Sequence, residues 1–209
     1  MISQRTLVID SASEACSVAL FENGKLVAGE FRVLGRGHAE ALVPMISALP
    51  GRGRATRIAV ALGPGSFTGV RVGLAAARAL ALAWGAKTCG YSTLAMIAAM
   101  ARGEAGAQPV GVAVTGGHGE WFVEGFDAQG ATTRALASLP PEQATAVTAE
   151  ALVAGSQARS LVHARGTGRT IDVMPDARAF PLLPAGALLE DDRPLYGRAP
   201  DAKLPTRTT

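Results

Sequence analysis

The sequence predicts an α/β protein of two small domains, each built on a mixed sheet. Three observations carry that prediction. The chain opens with a short apolar run followed by two more, the last pair joined by Asn23-Gly24, residues that tolerate the left-handed backbone of a tight hairpin. Further on, a glycine-rich loop stands between an apolar run and a long alanine-rich segment, the pattern of strand, tight turn and helix. Composition then turns loop-like at Gly103-Glu-Ala-Gly-Ala-Gln-Pro109, which places a boundary near residue 104 and divides the chain into 1–104 and 105–209.

Taken in order, Thr6 to Ile9 is a first buried strand ending at Asp10, and Ser11 to Glu14 is a turn. Cys16 to Phe21 and Leu26 to Val33 are the strands of the hairpin. Gly35-Arg-Gly37 leads into a helix over Ala39 to Leu49, with Leu42, Met45, Ile46 and Leu49 at i, i+3, i+4 and i+7. Pro44 is expected to kink this helix, because it removes an interior donor, and Pro50-Gly51 ends it.

Arg57 to Leu62 is short, apolar and partly β-branched, as befits a strand buried on both faces. Gly63-Pro-Gly-Ser-Phe-Thr-Gly69 must turn tightly: Pro64 fixes its own φ, and the glycines permit φ > 0 or close backbone approach. Ser66 or Thr68 is placed to cap a helix from Val70 to Trp84. That helix carries only Arg71 and Arg78 as charges, on one narrow stripe, so its apolar face is wider than one sheet requires. It is expected to pack on two sides. A strand at Thr88 to Tyr91 follows, then a helix capped by Ser92 or Thr93 and running through Met100.

The second half is patterned more weakly. Val110 to Val114 and Glu120 to Phe126 read as a hairpin around Thr115-Gly-Gly-His-Gly119. Pro140-Pro141 introduces a short helix that includes Ala149 to Val153, and Ser160 to His163 reads as a strand before Gly166-Thr-Gly168. A helix near Ala185 to Leu189 and an extended, proline-interrupted tail from Arg193 complete the chain.

Composition narrows the function. With 209 residues, 48% hydrophobic and 18% charged, the chain is a globular, soluble protein with ample core. An aromatic fraction of 5% argues against a surface built to stack bases, while a net charge of +3 permits RNA contact without demanding it. Cys16 and Cys89 sit in apolar, strand-like contexts without Cys-x-x-Cys spacing and read as core. The N-terminal apolar run is too short for a signal peptide, and Arg78 interrupts the longest apolar stretch. No membrane helix and a cytoplasmic location are therefore expected.

The glycine loop is not a Walker A motif, since no Gly-Lys-Ser/Thr closes it. It matches a dinucleotide fingerprint only loosely, reading Gly63-x-Gly65-x-x-x-Gly69 with no acidic residue about 20 positions on. Spacing alone leaves a phosphate loop and a packing turn both open.

The opening, a strand with an Asp-Ser turn and hairpin-linked strands, resembles the actin-like ATPase (ASKHA) superfamily, in which the first turn approaches nucleotide phosphates. The string from Gly63 to Gly73, Gly-Pro-Gly-Ser-Phe-Thr-Gly-Val-Arg-Val-Gly, with its preceding strand and following helix, closely resembles the TsaB (YeaZ-like) family. Members of that family are non-catalytic dimerisation subunits of the bacterial machinery that makes threonylcarbamoyladenosine in tRNA. The likeness is strongest over residues 6 to 100. It rests also on Ile9-Asp-Ser-Ala-Ser-Glu-Ala-Cys-Ser-Val-Ala-Leu20, His38-Ala-Glu-Ala-Leu-Val-Pro-Met-Ile46 and Tyr91-Ser-Thr-Leu94. Gly119-Glu120 and Pro194-Leu-Tyr-Gly-Arg198 are loosely similar, and the chain departs at Thr115-Gly-Gly-His118, where the family carries an Asp-Ala-Arg-like turn.

The resemblance implies a scaffold that supports the transferase TsaD, with the ATPase TsaE as a third partner, tRNA reached indirectly, and a homodimer when alone. It implies no catalytic residues. TsaD holds its metal partly through His-x-x-x-His on the first helix; here His38 is followed four residues later by Leu42, so no metal is expected. No cofactor is expected on the chain by itself. ATP or ADP in the complex would approach Asp10, Ser11, Gly63, Gly65 and Ser66, although Asp10 also reads as an Asx-turn closing its strand. The interface implied is a pair of helices presenting His38, Leu42, Met45, Ile46 and Leu49 from the first, and Val70, Arg71, Leu74, Arg78 and Leu82 from the second. The Arg52-x-Arg54-x-x-Arg57 cluster is either a contact for tRNA phosphates or a solvated loop. Two rival functions are an active ATP-dependent transferase or kinase of the same superfamily, and a metallopeptidase. The first lacks a charged constellation around the glycine loop, and the broken His pair counts against the second.

Overall fold

The computed structural model describes residues 4–190, 193–195 and 197. The first five strands and two helices follow the apolar patterning of the sequence. Strands β1 (Arg5–Asp10), β2 (Ala15–Glu22) and β3 (Lys25–Val33) form an antiparallel meander. Its hairpin turns at Asn23 (φ 50°) and Gly24 (φ 78°), both left-handed as a two-residue turn requires. Helix α1 (His38–Ala48) runs through Pro44, which is exposed and does not end it. Strand β4 (Arg57–Ala61) pairs parallel to β1, and its residues Ile58 to Ala61 are fully buried, as a central strand's should be.

Helix α2 (Phe67–Trp84) starts three residues earlier than expected, because Ser66 caps it by accepting from the Gly69 amide. It lays Val70, Gly73, Leu74, Ala77 and Ala81 on the sheet and beside α1. Its opposite face carries exposed residues, Phe67, Arg71, Ala75, Arg78, Ala79 and Leu82 among them, so the second packing partner that the sequence suggests is not provided by the described residues. By length and composition α2 is apolar enough to cross a membrane, its two arginines notwithstanding; here it serves as a sheet-covering helix. Strand β5 (Lys87–Tyr91) then adds parallel to β4.

Helix α3 (Thr93–Ala105), capped by Ser92, joins the two halves. Met96 belongs to the first core, whereas Leu94, Ile97, Ala98 and Ala101 belong to the second. The second sheet contains β6 (Val110–Thr115), β7 (Trp121–Phe126), β8 (Thr132–Leu139), β9 (Leu152–Ala154) and β10 (Arg169–Ile171), in the order β10-β9-β6-β7-β8. Helices α4 (Pro141–Val147) and α5 (Ala158–Arg165) cover its other face through Ala144, Ala158 and Leu161. A Cβ at Gly125 would run into the Glu150 carboxylate, which Arg134 holds through Nη1 at 2.8 and 2.9 Å.

Several expectations for this half are corrected. The helix ends at Val147, and Leu152–Ala154 is a strand. Ser160 to His163 lies in a helix, and β8 lacked any assignment from the sequence. The apolar runs are three or four residues long, too short for periodicity to separate strand from helix.

The chain then returns to the first sheet. A 3-10 turn at Ala177–Leu182 docks on it, with the Ala177 amide donating to Ser17 Oγ at 2.9 Å and Phe180 6.0 Å from both Phe21 and Tyr91. After a 3-10 turn at Ala185–Ala187, β11 (Leu188–Leu189) pairs antiparallel with β5, where a helix was expected. The first sheet has the order β11-β5-β4-β1-β2-β3, so residues placed after 104 complete it and partly cover the edge of β5. Both sheets are mixed, and the doubled plan is the actin-like architecture anticipated from the opening strands. Beyond these elements, the Leu195 amide donates to Leu62 O at 2.8 Å, and of the expected tail from Arg193 only residues 193–195 and 197 are among the described residues.

Candidate functional site: the glycine loop and the paired helices

The structure brings Asp10, Ser11, Gly63, Gly65 and Ser66 together at the carboxyl ends of β1 and β4. Their bonds run to neighbouring parts of the chain, Ala12, Gly69, Tyr91 and Thr93. Asp10 is completely buried; its Oδ1 accepts from the Ala12 amide at 3.1 Å and its Oδ2 from the Tyr91 hydroxyl at 3.1 Å. The first bond is the Asx-turn read from the sequence. Burial pushes the Asp10 carboxyl up to about 6 against those two hydrogen bonds, which oppose the shift.

The glycines explain how the loop reaches this turn. A Cβ on Gly65 would strike the Ala12 carbonyl oxygen, one on Gly69 would strike that of Ser11, and one on Gly73 would lie 2.6 Å from Ser11 Oγ. Ser66 N donates to Ala12 O at 2.7 Å, and Ser11 Oγ donates to Gly69 O at 2.8 Å. Loop and turn are thus held in close approach by one backbone bond and the Ser11 hydroxyl, which is why these positions admit nothing larger than glycine. This arrangement does not fit a nucleotide phosphate: the Ser66 and Gly69 amides are committed within the chain, and Asp10 offers no oxygen to solvent.

His38 is also enclosed. It is 7% exposed, and its Nε2 donates to Ser13 O at 2.9 Å, tying α1 to the same turn. Leu42, the residue in place of a second imidazole, is core. Among the described residues no group of three His, Cys, Asp or Glu converges on one point. Cys16 and Cys89 are buried free thiols, and burial first, then the Asp10 charge, raises Cys16 to about 11. Both behave as core residues.

The paired helices require a larger correction. Leu42, Met45, Ile46 and Leu49 of α1, and Val70 and Leu74 of α2, are 1–6% exposed and belong to the chain's own core. With His38 they cannot form a contact face. The periodic stripe marked the side of each helix that the sheet covers.

The open side lies one step around each helix. On α2 it presents Phe67, Arg71, Ala75, Arg78, Ala79 and Leu82; on α1 it presents Ala39, Val43, Ser47 and Ala48. Leu82 is 88% exposed, Phe67 58% and Val43 55%. The Arg71 guanidinium lies 3.5 Å from the Phe67 ring centroid, a cation–π contact that holds both side chains against the helix. Of the interface residues expected from the sequence, Arg71, Arg78 and Leu82 are on this face. Phe67, Val43 and the exposed alanines were missed, although the absence of polar residues all round α2 was the signal for them.

Residues 32–165 match the family model described as TsaD: tRNA N6-adenosine threonylcarbamoyltransferase. The chain is 40% identical over 123 residues to the tRNA threonylcarbamoyladenosine biosynthesis protein TsaB of Escherichia coli (strain K12), covering 56% of this chain and 53% of that protein. It is 39% identical over 80 residues to TsaB of Haemophilus influenzae, covering 36% and 34%. The matched region spans about half the length, or less, of these curated relatives. Among solved structures, YeaZ from Pseudomonas aeruginosa superposes with a TM-score of 0.77 at 28% identity, covering 92% of this chain and 99% of that one. A protein described as similar to peptidase YeaZ, from the same organism, gives 0.78 at 29% identity, covering 93% and 100%.

Proposed function

The chain belongs to the TsaD family, that of the tRNA N6-adenosine threonylcarbamoyltransferases, on its TsaB (YeaZ-like) branch, and from that premise we propose that it is a non-catalytic subunit of the tRNA-modifying complex. Its role is to bind and support a TsaD transferase through the open face of α1 and α2. The observation that carries this reading is that face: Val43, Phe67 and Leu82 exposed beside a row of alanines, on two adjacent helices of an otherwise well-buried domain. Large apolar side chains exposed on adjacent helices support an interaction site. A partner helix pair on it would bury roughly 800 Å² per side, the size of an ordinary stable interface. In the absence of TsaD the same face serves a second copy. TsaE joins the assembled pair, tRNA is reached through the complex, and the work is done in the cytoplasm.

The non-catalytic part of the reading rests on the closed turn. A transferase or kinase of this fold needs an acidic group and loop amides free to meet phosphates, and here Asp10 and the Ser66 and Gly69 amides are engaged within the chain. A peptidase reading finds Leu42 in the core where a metal ligand is needed. The test is to purify the chain alone, with a TsaD transferase, and with TsaD plus TsaE. Threonylcarbamoyl transfer to tRNA is expected only when TsaD is present, and co-purification with TsaD is expected. Transfer by the chain alone, abolished by Asp10→Ala, would overturn the assignment.

A further inference from the structure

The opposite end of the first sheet, where β1, β4 and β5 begin, holds an arrangement that the subunit role does not use. Arg57 and Lys87 are paired in register on adjacent parallel strands and line one cavity of about 300 Å³. Like charges set side by side across a sheet are unfavourable. Neither has an ion-pair partner or a side-chain hydrogen bond among the described residues. Arg57 is only half exposed, so solvent does not fully screen its charge. Gln4, Thr56 and Thr88 complete the polar lining, and Glu190, exposed, is its one described carboxylate.

The loop leading to β4 adds to the charge. Arg52 adopts φ 55°, between Gly51 and Gly53, themselves at 64° and 69°. Three consecutive left-handed residues are unusual, and an arginine in that region is strained. The loop is pinned beside the start of β1: the Thr56 amide donates to Arg5 O at 3.1 Å, and Gly53 packs against Ile46. Arg52 and Arg54 are exposed on it without a described partner, whereas Arg5 is already paired with Glu22 at 3.0 Å. The loop that carries these two cations runs directly into Thr56 and Arg57, which line the cavity.

We propose that this end of the sheet binds a phosphate group, with Arg57 and Lys87 as its ligands and Arg52 and Arg54 drawing it in. The group belongs either to a free phosphate compound or to the backbone of RNA; the RNA arm alone rests on the function proposed above. Guanidinium and ammonium together supply fork and point-charge donors to one anion.

The full-length chain would be titrated, by amide-resolved NMR, with inorganic pyrophosphate and separately with an RNA stem-loop of about twenty nucleotides. Shifts are expected at the amides of Thr56, Arg57, Lys87 and Thr88. Arg57→Gln with Lys87→Gln should weaken binding at least tenfold, and the slope of log affinity for RNA against log salt should fall by about one per contact removed. Because Arg57 is partly buried, Lys87→Gln alone, with Arg52→Gln and Arg54→Gln, tests the site in a chain whose fold is undisturbed. Response to pyrophosphate assigns the site to free phosphates, and response to RNA alone assigns it to the nucleic-acid backbone. No response to either, shifts confined to the glycine loop, or affinity unchanged in the variants overturns the proposal. None of these readings depends on binding TsaD, so failure of the subunit role leaves the pyrophosphate result intact.

Discussion

The Tyr91 hydroxyl donates to Asp10 Oδ2 at 3.1 Å, joining the end of β5 to the end of β1 beneath the docked turn that carries Phe180. Both residues are completely buried. The contact spans the central β4 and fixes the carboxylate against the chain's own strands. In a fold whose ligands meet the carboxyl ends of the strands, that is where an acidic group would otherwise face outward.

The buried carboxyl makes stability depend on pH. Its value is about 6 in the folded chain against 3.8 when unfolded, so folding favours the protonated form. The associated stabilisation is fully present below the unfolded value and is lost as pH rises through about 6. Between pH 5 and pH 7.5 the loss should be about 1.4 kcal/mol. Asp10→Asn is expected to remove that slope and to equal or exceed the parent in stability at pH 7.5. Urea unfolding of both proteins across this range provides the check, since Glu124, also raised by burial, contributes equally to each. Parallel curves would contradict the assignment.

Tyr91→Phe isolates the hydroxyl. It removes the donor to Asp10 and leaves a less satisfied carboxylate in the same apolar surroundings, at a cost of about 1–3 kcal/mol near pH 7.5. The cost should shrink below pH 5, where the carboxyl is neutral. A pH-independent loss would mean that the hydroxyl's bond to Ile9 O at 3.2 Å, and not the one to the carboxylate, set the cost.

The glycines that meet the Asp10 turn separate into necessary and dispensable positions. Gly65→Ala or Gly69→Ala puts a methyl group against the carbonyls of Ala12 or Ser11, and each should destabilise by about 3 kcal/mol or more. Gly117→Ala, in a turn with open space around it, should change stability by less than about 0.5 kcal/mol. Thermal unfolding of the three variants is sufficient. Tolerance at Gly65 and Gly69 would show that the loop does not need its close approach.

Much of the first half was legible because its signals are local and strong. Asn23-Gly24 specified a turn, Ser66 and Ser92 capped helices, and the run from Ile58 to Leu62 had no polar residue to turn outward. The second half was not, because Leu152–Ala154 and the residues about Leu161 owe their strand and helix states to the sheet and helices around them. Two-residue β11 has no signature at all until β5 offers it an edge. At the helices the pattern was read correctly and its meaning was not. Leu42, Met45, Ile46 and Leu49 form a helical stripe, and such a stripe states which face is covered without stating by what. Here the cover is the chain's own sheet.

Affinity for a TsaD transferase, measured by titration calorimetry on Phe67→Arg and Leu82→Arg, tests the central claim most directly. Both positions are more than half exposed, so the fold and the unfolding temperature should be unchanged. A charge forced into a desolvated contact is costly, and each substitution should weaken association at least about a hundredfold. Leu74, at 3% exposed, provides the contrast: its replacement by arginine should unfold the domain. Folded Phe67→Arg and Leu82→Arg proteins that bound TsaD as tightly as the parent would contradict the account and remove the open face of α1 and α2 from any role in assembly.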